Sequence, residues 1–337
     1  MYPRKEVFAV HVAACALIIS APALADVPPG CVPGPLGTQF ADVTGDGRAD
    51  AIVINSDRVT VRRSDGSTFL PNESWTTNPY YGSIGTYFGD VTGDRRADAI
   101  VVNSDRVTVR RSDGSTFLPN ESWTTNPYYG SIGMYFADVT GDGRADAVVI
   151  DAARITVRPS DGSAFLPNQS WTANPYYGMM STYFADVSAD QISDAIAVNP
   201  ARITVRRPLG LNAGQFGPNE SWTSGPYYGN VGGSRGTQFA DVTGDGATDA
   251  IVINTGGVTV RRSDTNQFLA NETWTTNPYY GTVGTYFADV TGDGRADAIV
   301  VNGNMVTVRR SDGTRFLTNE SWTNEPYYGD YYPICLN

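Results

Sequence analysis

Apolar and polar residues alternate along short stretches of the chain, and no stretch carries the 3.6-residue period of an amphipathic helix. Residues 58–63 read Arg-Val-Thr-Val-Arg-Arg, an alternating strand, and residues 50–55 read Asp-Ala-Ile-Val-Ile-Asn, a short apolar strand. A further short strand over residues 40–43 precedes them. The sequence Ser-Asp-Gly-Ser at 64–67 is a turn, and residues 69–75 supply a fourth, weaker strand. Four β-rich segments joined by Gly, Asp and Asn predict an all-β chain.

The whole set then repeats. Taking the aspartate that follows the first strand as origin, copies start at Asp42, Asp90, Asp138, Asp186, Asp241 and Asp289, with periods of 48, 48, 48, 55 and 48 residues. A four-stranded sheet of this size cannot bury its own faces, so the spacing predicts a β-propeller in which every sheet packs between two neighbours. Six copies predict six blades as one domain over residues 36–330. The extra residues of the fourth unit, around 208–214 and 232–235, are expected as surface loops.

Each unit opens on a turn of the form Asp-Val-Thr-Gly-Asp-Gly-Arg-Ala-Asp. Oxygen-bearing side chains at positions one, three, five and nine suit a hard cation, and calcium accepts six to eight such ligands in flexible geometry. The expected ligands in the first unit are Asp42, Thr44, Asp46 and Asp50 with the Arg48 carbonyl. The others are Asp90, Thr92, Asp94 and Asp98; Asp138, Thr140, Asp142 and Asp146; Asp241, Thr243, Asp245 and Asp249; and Asp289, Thr291, Asp293 and Asp297. Unit two has Arg95 at the sixth position, where a left-handed backbone costs about 1 kcal/mol without a glycine. Unit four retains Asp186, Asp190 and Asp194 but loses both glycines and is expected to bind most weakly. About four to six structural calcium ions are therefore expected. The alternative is that these are Asp-Gly turns with no metal.

The run Phe-Ala-Asp-Val-Thr-Gly-Asp-Gly-Arg-Ala-Asp-Ala-Ile-Val, residues 40–53, resembles the FG-GAP or VCBS repeat of integrin α-subunit propellers, of secreted bacterial proteins and of a group of fungal and bacterial propeller lectins. The resemblance extends over all six units. It implies the propeller fold and calcium, and it says less of function, because this scaffold carries many roles. Two departures stand out. The best-known members have seven blades, and Thr44 with its equivalents stands where the family usually has Asn or Asp.

A second repeated stretch carries aromatic side chains. Residues 72–82 read Asn-Glu-Ser-Trp-Thr-Thr-Asn-Pro-Tyr-Tyr-Gly, and related sequences recur in every unit. The candidate ligand-binding groups are Trp75, Tyr80 and Tyr81; Trp123, Tyr128 and Tyr129; Trp171, Tyr176 and Tyr177; Trp222, Tyr227 and Tyr228; Trp274, Tyr279 and Tyr280; and Trp322, Tyr327 and Tyr328. Aromatic faces flanked by amides, hydroxyls and carboxylates suit a sugar, whose C–H face stacks on a ring while its hydroxyls form directional hydrogen bonds. Repetition around a ring would add avidity. Alternatively the tryptophan fills the inter-blade core and one tyrosine is buried in a rigid turn. Similar propeller lectins bind monosaccharides between adjacent blades. Of the paired arginines, such as Arg62 and Arg63, strand alternation places one in a blade interface and one in solvent. The Asn-x-Ser/Thr triplets at Asn72, Asn120, Asn168, Asn219, Asn271 and Asn319 would be glycan acceptors in a eukaryotic secretory pathway.

Composition narrows the chemistry. Residues 1–25 have the basic lead, apolar run and Ala-Leu-Ala end of a signal peptide, so the mature chain is expected to be exported to the extracellular space or a periplasm. Cleavage there removes the only histidine, His11, the only lysine, Lys5, and Cys15. It leaves 22 basic and 34 acidic side chains, a formal charge of −12, which disfavours nucleic acid and anionic membranes as partners. No later run is long enough to span a bilayer. Without histidine or lysine, Ser-His-Asp, Cys-His and Schiff-base catalysis are excluded, leaving only carboxylate chemistry of the glycosidase or lyase kind. The unrepeated carboxylates Asp151, Glu325 and Asp330 form no evident pair, so no catalytic residue is assigned. Cys31, in a lead segment over residues 26–36, and Cys335, in a tail over 331–337, are expected to form a disulfide in an oxidising compartment, two free thiols being the alternative. The chain thus reads as a secreted binding propeller, for carbohydrate first and for a protein partner second.

Overall fold

The computed structural model describes residues 37–231 and 236–329 and the backbone of 31–33 and 333–335. The expected signal peptide, Asp330 and the insert at 232–235 lie outside the described residues. The fold is a six-bladed β-propeller, with each blade a four-stranded antiparallel sheet whose strands follow chain order. The first blade consists of Thr38–Ala41, Asp50–Ile54, Val59–Arg62 and Glu73–Ser74. The first strands of neighbouring blades contact one another right round the ring, including the first blade against the sixth.

The fourth strand is shorter than the sequence suggests. Only Glu73 and Ser74 pair with the third strand, while Phe69 forms an isolated bridge to Ser64. The same break occurs in blades five and six, where Ala270 and Thr318 stand in place of Pro71, so it belongs to the repeat rather than to the proline.

Burial explains the ring. Asp50–Ile54 is buried along its whole length, as is its counterpart in every other blade, so these strands present apolar residues on both faces. Six apolar clusters result, one at each junction. Val43, Ile52, Val61 and Trp75 of blade one, for example, pack with Phe88, Ala99 and Phe117 of blade two. A blade removed from the ring would expose both faces.

Two hydrogen-bonded belts run around the circumference. The amide of Ala49 donates to the Asp289 carbonyl at 2.7 Å, Ala97 to Asp42 at 2.7 Å, and the relation continues through all six loops. Nearer the rim, Phe117 N–H donates to the Trp75 carbonyl at 3.1 Å, and Phe69 closes that belt on Trp322 at 3.2 Å. No blade mixes strands from the two chain ends. Instead Cys31–Pro33 pairs antiparallel with Pro333–Cys335, with Cys31 directly opposite Cys335. The cysteine side chains lie outside the described residues.

Candidate functional site

Each loop is organised by its first aspartate. Asp42 accepts from Gly45 N–H at 2.6 Å and Gly47 N–H at 2.8 Å, with both glycines in the left-handed conformation they adopt most easily, φ of 81° and 84°. The other loops keep this shape even where glycine is missing: Arg95, Ala189 and Gln191 have φ of 67°, 58° and 68°. The strain expected at Arg95 is therefore present, and loop four carries it twice.

The ninth-position aspartates are fully buried. Asp50 accepts from Val43 N–H at 3.2 Å and Ser64 N–H at 2.9 Å. Loss of hydration, with lesser repulsion from Asp42 and Asp46, pushes its carboxyl up to about 7. Asp98, Asp146 and Asp297 are likewise pushed up to about 7 and Asp249 to about 8.

In kind, three carboxylates, a hydroxyl and a carbonyl within one turn fit calcium. Their present partners are internal. Asp42 uses both oxygens on loop amides, and Asp46 pairs with Arg48, whose Nε donates to the Ser64 carbonyl at 3.1 Å. The same guanidinium pairing holds Asp94, Asp142 and Asp293. Among the described residues no three carboxylates gather around one point. A cation would thus compete with an arginine for Asp46. Loops four and five are different, because Ile192 and Ala247 replace that arginine; among the described residues Asp190 and Asp245 accept from the amides of Ile192 at 3.0 Å and Ala247 at 2.9 Å.

The aromatic motif divides in two. The six tryptophans, Trp75, Trp123, Trp171, Trp222, Trp274 and Trp322, are at most 2% exposed, and each stands edge-on to a phenylalanine of the next blade, as Trp75 does to Phe117 at 5.1 Å. They are core, which corrects the expectation that their faces receive a ligand. The first tyrosines, Tyr80, Tyr128, Tyr176, Tyr227, Tyr279 and Tyr327, are buried too and are corrected likewise. Each is covered by an arginine of the next blade, Arg110 lying 4.6 Å over Tyr80 and Arg62 4.8 Å over Tyr327. Burial also raises their phenolic hydroxyls well above the usual value. Only the second tyrosines, Tyr81, Tyr129, Tyr177, Tyr228, Tyr280 and Tyr328, are exposed, at 37–43%.

A cleft opens beside this buried layer. Between blades four and five it has a volume of about 440 Å³, within the range of small-molecule sites, and its walls include Arg202, Trp222, Thr223 and Ser224 facing Arg261 and Gln267. Its guanidinium, hydroxyl and amide groups come from strand ends rather than long loops. Alternation within the Arg-Arg pair explains the placement. Arg62 is buried in a blade interface, whereas Arg63 is half-exposed and pairs with Glu73. The unrepeated carboxylates are occupied separately: Asp151 accepts from Ser131 N–H at 2.9 Å, and Glu325 pairs with Arg62.

Residues 42–101, 90–149 and 241–300 match the model of an FG-GAP-like repeat. The chain is an FG-GAP-repeat propeller. No curated protein matches its sequence. Among solved structures, a lectin of Agrocybe aegerita, described as recognising non-reducing terminal N-acetylglucosamine, superposes with a TM-score of 0.61 at 22% identity, covering 86% of this chain and 81% of the lectin. A Photorhabdus luminescens Tc holotoxin pore gives a TM-score of 0.57 at 16% identity; 88% of this chain aligns with 14% of that one. At these identities the likeness is one of fold. Among the described residues no helix of the FG-GAP-repeat propeller is long and apolar enough to cross a membrane.

Proposed function

We propose that this propeller is an exported carbohydrate-binding protein whose ligands lodge in the clefts between blades. The observation that carries the reading is the cleft between blades four and five, where Arg202, Arg261, Gln267 and Ser224 stand beside an aromatic layer. Directional polar groups over an apolar floor suit a sugar ring, and the fold is shared with a sugar-recognising lectin. Calcium would act on the opposite ledger of the repeat, by neutralising the acidic loops rather than by touching the sugar.

A glycan array with the mature protein, run in calcium and again in EDTA, tests this. Specific binding to a defined glycan is the expected result, and a blank array from folded protein would sink it. A protein-binding role is the second reading, favoured by Leu209 and Leu211, which are 57% and 70% exposed on the blade-four insert. Saturable binding to a protein without sugar competition would select it.

A further inference from the structure

Glu325 breaks the repeat at one position. The equivalent residues are Asn78, Asn126, Asn174, Gly225 and Asn277. From that position Glu325 crosses from the sixth blade to the first and ion-pairs with Arg62, the guanidinium that covers Tyr327. Its own side chain remains 64% exposed while Arg62 is only 10% exposed, so it approaches the arginine from the solvent side.

The arginines equivalent to Arg62 are Arg110, Arg158, Arg206, Arg261 and Arg309. Each lies 4.4–4.8 Å over a buried tyrosine of the preceding blade. Each, like Arg62, has a buried Nε without a hydrogen-bond partner; what distinguishes the five is that among the described residues none pairs with a carboxylate. Arg206 and Arg261 donate one Nη to a carbonyl of their own blade, at 3.5 and 3.2 Å. A half-buried guanidinium with unspent donors is costly unless an acceptor reaches it, and a carboxylate matches its planar fork best.

We infer that the five junctions without Glu325 bind sugars bearing a carboxylate, of the hexuronic acid class, and that Glu325 is the protein's own occupant of the sixth. This deepens the carbohydrate-binding reading and rests on it. The chain's overall negative charge offers an anion no long-range attraction, so selectivity must come from contact with these arginines. The junction with Gly225 in place of a side chain carries an open cleft of about 440 Å³, and Arg261 lines it.

Methyl glucuronide and methyl glucoside form a matched pair of probes for calorimetry on the whole mature protein. The glucuronide should bind about ten-fold more tightly, the preference falling away in Arg261→Gln for the cleft between blades four and five. Glu325→Asn, a change at an exposed side chain, should add one binding equivalent, and Asn277→Glu should remove one. Equal affinity for the two probes, or a stoichiometry unchanged by Glu325→Asn, overturns the inference while leaving a neutral-sugar lectin standing. Absence of binding to either probe and to every glycan on the array overturns both.

Discussion

Pro208 stands where five blades place a serine, and so leaves Asp194 without the amide that its equivalents accept. Ser64, Ser112, Ser160, Ser263 and Ser311 each donate N–H to the buried ninth-position aspartate at 2.9 Å. Proline has no N–H, and Oδ1 of Asp194 is buried without a partner. The serine hydroxyl is lost as well. Elsewhere it bonds the preceding blade, as Ser112 Oγ does to the Val43 carbonyl. In blade four the insert compensates in part, with Asn212 N–H donating to the Thr140 carbonyl at 2.9 Å.

Pro208→Ser should therefore stabilise the protein. A buried acceptor left unmet costs about 1–3 kcal/mol, so restoring its donor is expected to raise the thermal midpoint by an amount calorimetry resolves. An unchanged or lowered midpoint would mean that the insert depends on the proline ring more than Asp194 needs the amide.

Burial separates the aromatic motif into two experiments. Trp75→Ala opens a large void between blades one and two and should cost about 3–5 kcal/mol. Tyr81→Ala, at an exposed ring, should stay within about 0.5 kcal/mol of the parent. Denaturant titration of both variants measures the contrast, and similar losses in the two would contradict the burial described.

That contrast also marks what the sequence could disclose. The period, the four strands per unit and the six blades are local patterns and were all readable, as was the split between Arg62 and Arg63, because strand alternation fixes it. Whether Trp75 faces solvent or core depends on Phe117, a residue of the next blade 42 positions away, and no local pattern encodes that contact. The covering of Tyr80 by Arg110 is hidden for the same reason. Asp194 was partly legible: its missing glycines are visible, but the loss of its donor appears only when Pro208 is aligned on Ser64 and the Ser64 amide is seen to meet the ninth-position aspartate of its blade.

Loop five gives the sharpest test of calcium. Asp245 has no arginine to release, because Ala247 takes that place, whereas Asp46 is held by Arg48. Native mass spectrometry during calcium titration should show loop five filling first, so Asp245→Asn removes the tightest ion. Asp190→Asn, in the strained fourth loop, should leave the number of bound ions unchanged. Identical titrations for parent and Asp245→Asn would refute the ranking.

Proton linkage supplies a prediction for the chelated protein. Asp50, Asp98, Asp146 and Asp297 are held up to about 7 and Asp249 to about 8, against about 3.9 in an unfolded chain. The folded state thus binds more protons across that interval. Stability from these groups is present below pH 4 and is lost as pH rises through 7 to 8. In EDTA the thermal midpoint should fall between pH 5 and 8, and calcium should reverse the fall by favouring the ionised carboxylates. A midpoint that rises with pH in EDTA would show that other groups dominate.

Ring closure yields the last prediction. Ordinary propellers of this topology would part most easily between the first and last blades, and here the short pairing of Cys31–Pro33 with Pro333–Cys335 joins the chain ends. Direct antiparallel partners stand about 4.5–5.5 Å apart at Cα, within the reach of a disulfide. A Cys31–Cys335 bridge would close a loop of roughly 300 residues and add about 6 kcal/mol by chain entropy, less any strain. The protein purified from an oxidising compartment should accordingly lack free thiols, and reduction should lower its thermal midpoint. The double variant Cys31→Ser with Cys335→Ser should match the reduced protein and lose all response to reductant; a parent with two titratable thiols would instead leave closure to the backbone pairing and the Glu325–Arg62 contact.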